Sequence, residues 1–254
     1  MPSGAAYSEA KEIAMRFAEW TDYRGVALRR HGSGAYCYTT DHLALDADGS
    51  LFAYRPDNKG RDDLGFASWP SGDEDWRWIL VADPDDPARP FVQRDGPAEG
   101  YFLSMTTLRD PAGVATDPAC YVDSEAIPYL VFPANFLKIE GVGGFGDVAM
   151  ARNLRTGDES WAVVADQGPA PHRLGEVSLK LCEGLGGTHP NPRNGDGIAP
   201  GPYQYLVFPG SRLDPIWPQP AESLEARART LFDAIGGWPE PGQARESARV
   251  NRVD

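Results

Sequence analysis

A chain of 254 residues, 41% hydrophobic and 11% aromatic, is long enough to bury a full core and too apolar to be a disordered tail. Its formal charge of −13 argues against a nucleic-acid binder, which needs Lys and Arg for phosphates, and suits a cationic partner. Three cysteines without a Cys-x-x-Cys pair and four scattered histidines supply neither a disulfide framework nor a zinc site.

In chain order, residues 8–20 place Ile13, Ala14, Phe17 and Ala18 on one helical face, which predicts a short amphipathic helix. Residues 1–31 therefore read as an N-terminal helical extension. No basic-then-apolar leader opens the chain, and no apolar run of about 18 residues is available to span a membrane. From Gly32 onward strands and turns dominate, with candidate strands at 35–38, 78–81, 101–104, 129–132 and 147–151. Asp48-Gly49 between Leu43/Leu45 and Leu51/Phe52 predicts a hairpin turn. The Pro- and Asp-rich stretch 83–90 predicts an exposed loop. Residues 224–235 predict a helix stopped by Gly236-Gly237, and the polar segment 236–254 a mobile tail. The sum is a mainly β (α+β) chain with one domain over 32–235.

The stretch 161–185 carries the densest signal. Trp161-Ala162-Val163-Val164-Ala165 has the composition of a buried strand, and it runs into Asp166-Gln167-Gly168-Pro169, where Gly and Pro enforce a turn. Val177, Leu181 and Leu185 then recur every four residues, which predicts a helix with Glu176 in its first turn, at the positive end of the dipole. Asp166 at a strand end and Glu176 at a helix start can thus face one cleft. Two carboxyls are what glycosidic cleavage needs: one protonates the leaving oxygen while the other acts on the opposite side of the sugar. The apolar neighbours of Asp166 suit a raised pKa and a general acid. A helix N-terminus favours the ionised form and suits Glu176 as base, with the reverse assignment open.

The segments 165–169 and 174–179 resemble the catalytic stretch of the family 75 glycoside hydrolases, the fungal-type chitosanases. Further pieces follow in the same order: Asp46-Ala47-Asp48-Gly49, Asp62-Asp63-Leu64, Tyr121-Val122-Asp123-Ser124, Ile127-Pro128-Tyr129, Gly146-Asp147-Val148-Ala149 and residues 205–211. The resemblance spans roughly residues 36–212 and implies an endo-acting, inverting hydrolase of β-1,4-linked chitosan, with Asp166 and Glu176 as its carboxylates. Asp-x-Gly-Pro after a strand is also similar to the active-site turn of double-psi β-barrel enzymes. It implies a six-stranded barrel of that kind with added strands and a few peripheral helices.

Asp46, Asp48, Asp123 and Asp147 are candidates to bind the ammonium groups of the polymer, and Tyr129, Trp69, Trp76 and Trp78 to stack on sugar faces. His172, between the two carboxyl motifs, could tune the site. The expected partner is a cationic amino-sugar polysaccharide, met by a monomer without metal or cofactor, away from nucleic acid and membrane. The family is secreted, whereas the visible sequence fits equally with a cytoplasmic chain. The alternatives are a peptidoglycan-cleaving enzyme on the same barrel and a non-catalytic amino-sugar-binding domain.

Overall fold

The computed structural model describes residues 17–71 and 75–239. It is mainly β. Among these residues nine strands form one mixed sheet: β1 (Ala18–Tyr23), β2 (Val26–Arg30), β3 (Tyr36–Thr40), β4 (Ala44–Asp46), β5 (Tyr129–Pro133), β6 (Val148–Asn153), β7 (Glu159–Gly168), β8 (Glu176–Ser178) and β9 (Tyr203–Val207). Two α-helices accompany them, α1 (Leu179–Gly184) and α2 (Ala221–Ala234). Neither is long and apolar enough to cross a membrane.

The strand order is β1-β2-β3-β9-β6-β7-β5-β8-β4. The outer strands β1 and β4 do not pair, so the sheet is open, in contrast to the closed six-stranded barrel expected. It nevertheless curls. Tyr23 and Leu28 at one end share a continuous apolar cluster with Val177 and the partly buried Leu45 at the other. Period-2 alternation along the central strands explains how both faces are filled. Tyr36, Tyr38, Tyr205, Val207, Ala162 and Val164 enter the cluster inside the curl. Cys37, Leu206, Val148, Met150, Trp161 and Val163 enter a second cluster outside it, where Leu224 and Ala228 of α2 cover the sheet. The three cysteines are free and buried.

Several local expectations change. The helix read over 8–20 lies mostly outside the described residues, and its last residues, Ala18 to Trp20, open β1. Since β2 pairs with β3 from Leu28↔Tyr38 to Arg30↔Tyr36, the sheet runs through the boundary drawn at residue 31. Asp48-Gly49 is a turn, with Gly49 at φ 76°, yet no hairpin follows: β4 pairs in parallel with the distant β8. Residues 78–81 and 101–104 form isolated bridges, such as Leu80↔Ser104, rather than strands. They belong to the long loop-rich excursion between β4 and β5, which packs on its own clusters around Tyr54, Leu80 and Phe102 and around Val81, Phe91 and Leu103.

Candidate functional site

Asp166 lies within β7, two residues before its end. Pairing of β7 with β5 passes from Leu130↔Val164 directly to Val131↔Asp166, leaving Ala165 as the extra residue of a bulge. A bulge breaks the alternation of side chains. Here it turns Asp166 to the face of Val131, outside the curl, instead of the interior face that Val164 occupies.

Glu176 is in β8, not in a helix. Ser178 caps the following α1 by accepting from Leu181 N, so the helix begins two residues later than the spacing of Val177, Leu181 and Leu185 implies. Gly175 is held at φ 113° with its backbone against His42, and its carbonyl accepts from Ala44 N at 3.0 Å. This seating draws Glu176 into the sheet, where it pairs with Val131 on one side and with Ala44 on the other. Asp166 and Glu176 therefore flank Val131 at one register level, about 10 Å apart at Cα, two interstrand steps. Asp46, paired with Ser178 two residues along β4 from Ala44, shares their face.

The side chains converge further. A Cβ on Gly168 would come within 2.9 Å of Glu176 Oε2. The Glu176 carboxyl thus leans over the end of β7, about 6.6 Å of strand from Asp166. His172 Nδ1 is 3.5 Å from the same oxygen, and Glu176 holds the imidazole pKa above its usual value.

Asp166 is only 6% exposed. Its Oδ1 accepts from Thr107 Oγ1 at 2.6 Å, Thr107 N at 3.0 Å and Gln167 N at 2.7 Å. Burial outweighs these donors, and Glu176 adds to it, so the carboxyl is pushed up to about 6. Asp46 and Asp48 stand beside it, and acidic oxygens of the three lie within 4.8 Å of one another. At an effective dielectric of about 20, like charges at that spacing repel by roughly 3.5 kcal/mol. Asp46 is raised well above the carboxylate range by burial and then by Asp166 and Glu176, and Asp48 by burial and then by Asp46 and Asp166. The cluster needs shared protons or a cation. Its oxygens are close enough to contribute to a hard metal site, although a calcium ion would require more ligands than these three.

The other candidates divide sharply. Tyr129 is wholly buried and its hydroxyl donates to Asp48 O at 3.0 Å, so its ring supports the acidic cluster and is closed to any sugar. Asp147 is wholly buried too. Its oxygens accept from Gly144 N and Arg212 N, stapling two loops and leaving no route to a polymer. Asp123 accepts from Glu125 N in a turn. Of the tryptophans, Trp76 is buried edge-on against Trp69, whereas Trp78 is 79% exposed.

Sequence reasoning missed Thr107 and Tyr54, which hydrogen-bonds Asp48; no spacing marks either. Asp62 was visible only within a motif. It is 4% exposed, pushed up to about 6 mainly by burial, and it feels Glu176.

Two cavities lie elsewhere on the curl, and neither is lined by Asp166 or Glu176. Compared with known proteins, the chain matches no family model and no curated protein. Geometry and motif resemblance carry the functional reading.

Proposed function

We propose that the chain is a glycoside hydrolase of an amino-sugar polymer such as chitosan, with Asp166 as general acid and Glu176 as general base. The observation that carries this is the placement of the two carboxyls on either side of Val131, on one face, in unlike environments. Asp166 is dry, and its pKa of about 6 keeps it protonated in mildly acidic solution. All three of its hydrogen bonds fall on Oδ1, so the proton to be delivered sits on Oδ2. Glu176 is more open, its side chain 19% exposed beside His172, whose side chain is 40% exposed.

In the inverting scheme Asp166 protonates the glycosidic oxygen as the bond to the anomeric carbon breaks. Glu176 takes a proton from the water that attacks the opposite face. Asp46 and Asp48 would meet the ammonium group of the sugar beside Asp166, and that charge would replace the protons the acidic cluster otherwise shares. The proposed kinship with double-psi barrel enzymes rests on the Asp166-Gln167-Gly168-Pro169 motif alone, since the curled sheet is open and β7 continues as strand to Gly168 in place of the expected turn.

Reducing-end release and viscosity loss from chitosan test the reading. Asp166→Asn and Glu176→Gln should each lower turnover at least about 100-fold with the fold retained. A parent protein inactive across the whole range of acetylation, or variants as active as the parent, would remove it. Clearing of purified cell walls by the parent would instead favour peptidoglycan as the substrate.

A further inference from the structure

On a chain this acidic, most of the described basic side chains away from the sheet are matched to acids. Arg77 pairs with Asp75, Arg94 with Asp83 and Asp85, and Arg193 with Asp63. Arg24 and Arg173 differ. Among the described residues neither side chain makes an ion pair or hydrogen bond, yet both line the same cavity of about 350 Å³. The cavity lies between the tip of the β1–β2 hairpin and the connection from β7 to β8. Tyr23, Thr39, Thr40, Asp41 and His42 also line it.

The backbone holds both arginines in place. Arg24 adopts φ 54° and Gly25 φ 84°, a tight hairpin turn closed by Gly25 N donating to Asp22 Oδ1 at 2.8 Å. A left-handed arginine is an unfavourable choice where Asn would serve the turn better. Arg173 is anchored by Leu174, buried in the inner cluster, and by Gly175 packed on the His42 backbone.

Two polar atoms on the lining residues are also unsatisfied. Tyr23, 8% exposed, buries its hydroxyl without a partner, and His42 buries Nε2 without one. Buried groups left unpaired cost about 1–3 kcal/mol each, and such groups are usually completed by a ligand or ordered water. The imidazole of His42 is held below its usual pKa by burial and by Arg173 and His172, so it offers a neutral ring. Of the acids nearby, Asp22 is engaged in the turn, Asp41 is an exposed residue of the lining and Glu176 faces His172.

We propose that this cavity is an anion-binding site, in which the guanidiniums of Arg24 and Arg173 clamp the oxygens of a phosphate or carboxylate group and the hydroxyls of Thr39 and Thr40 complete its hydrogen bonds. Guanidiniums match both anions in geometry. The pocket is large enough for a monosaccharide carrying the group. The site stands apart from the glycosidase reading: a chain without activity on chitosan would leave it untouched.

Titration calorimetry at low ionic strength tests it, with inorganic phosphate and a hexuronate as probes. One saturable site is expected. Arg24→Gln and Arg173→Gln should each weaken it at least about tenfold, while Arg89→Gln, on a distant exposed loop, should leave it unchanged. Tighter phosphate binding assigns the site to phosphorylated ligands, and tighter hexuronate binding to acidic sugars. Failure of both probes to saturate, or equal affinity in the parent and both pocket variants, overturns the proposal. Circular dichroism of each variant separates lost binding from lost fold.

Discussion

Thr107 shows how much one unremarkable side chain sets at this site. Its hydroxyl and its amide both donate to Asp166 Oδ1 and favour the ionised carboxyl, against burial, which favours the neutral one. Thr107→Val deletes the hydroxyl donor and keeps the shape. The Asp166 pKa should then move further up from about 6, read by carboxyl carbon NMR, and the alkaline limb of hydrolysis should move with it. A hydrogen bond of this kind contributes about 1–3 kcal/mol, so a modest loss of stability accompanies the shift. Asp166→Asn acts in the opposite sense on stability. It removes an acid whose burial is unfavourable once ionised, so near pH 7.5 the inactive variant should melt no lower than the parent. Asp166 and Glu176 could be singled out from sequence because the segments 165–169 and 174–179 resemble a known catalytic stretch, although the turn expected at Asp166 is strand to Gly168. Thr107 could not, because it reaches Asp166 across 59 residues of chain from an irregular loop.

At the scale of elements, glycines decide where the carboxyls sit. Gly168 terminates β7 under the Glu176 carboxyl, and a Cβ there would approach Oε2 to 2.9 Å. The contact falls on the mobile end of a side chain, so Gly168→Ala should keep stability within about 1 kcal/mol. Hydrolysis should nonetheless fall about tenfold, because small misplacements of a catalytic group are costly. Gly175 is the contrasting case. Its φ of 113° and its contact with the His42 backbone leave no room for any side chain. Gly175→Ala should lose about 2–4 kcal/mol in urea unfolding, since backbone rather than side chain must give way. The helical spacing across the short β8 has a clear physical source. Val177 and Leu181 are both buried, Val177 as a strand residue against Leu130 and Leu181 as a helix residue beyond the Ser178 cap. A spacing of four is shared by both arrangements when a strand runs straight into a helix.

Across the whole molecule, buried acid is the dominant electrostatic feature. Asp166 and Asp62 both sit at about 6 in the folded chain, against an ordinary carboxylate value of about 4. Between those values the folded state binds more protons than the unfolded one, so stability falls as pH rises through that interval and levels off above it. The thermal midpoint should therefore be higher near pH 5 than near pH 7.5, by an amount reflecting about 1.4 kcal/mol per site, and calorimetry across that range checks it. Asp62→Asn should flatten part of the slope while leaving the carboxyls of Asp166 and Glu176 in place. A profile rising toward neutrality would mean that folding lowers these carboxyl pKa values instead of raising them.

By itself the sequence determined the mainly β character, the inner strands around Tyr36–Thr40, Tyr129–Pro133, Val148–Asn153 and Glu159–Gly168, and the final helix. These are local quantities, written in alternation, composition and turn residues. Only the tertiary structure decided that the sheet curls without closing and that β4 joins β8 in parallel across most of the chain. It also placed Tyr129 and Asp147 among the wholly buried supports and drew Arg24 and Arg173 to one cavity. Those outcomes depend on which distant segments share a hydrogen-bond ladder, and a bulge at a single alanine was enough to turn Asp166 to the face where Glu176 stands.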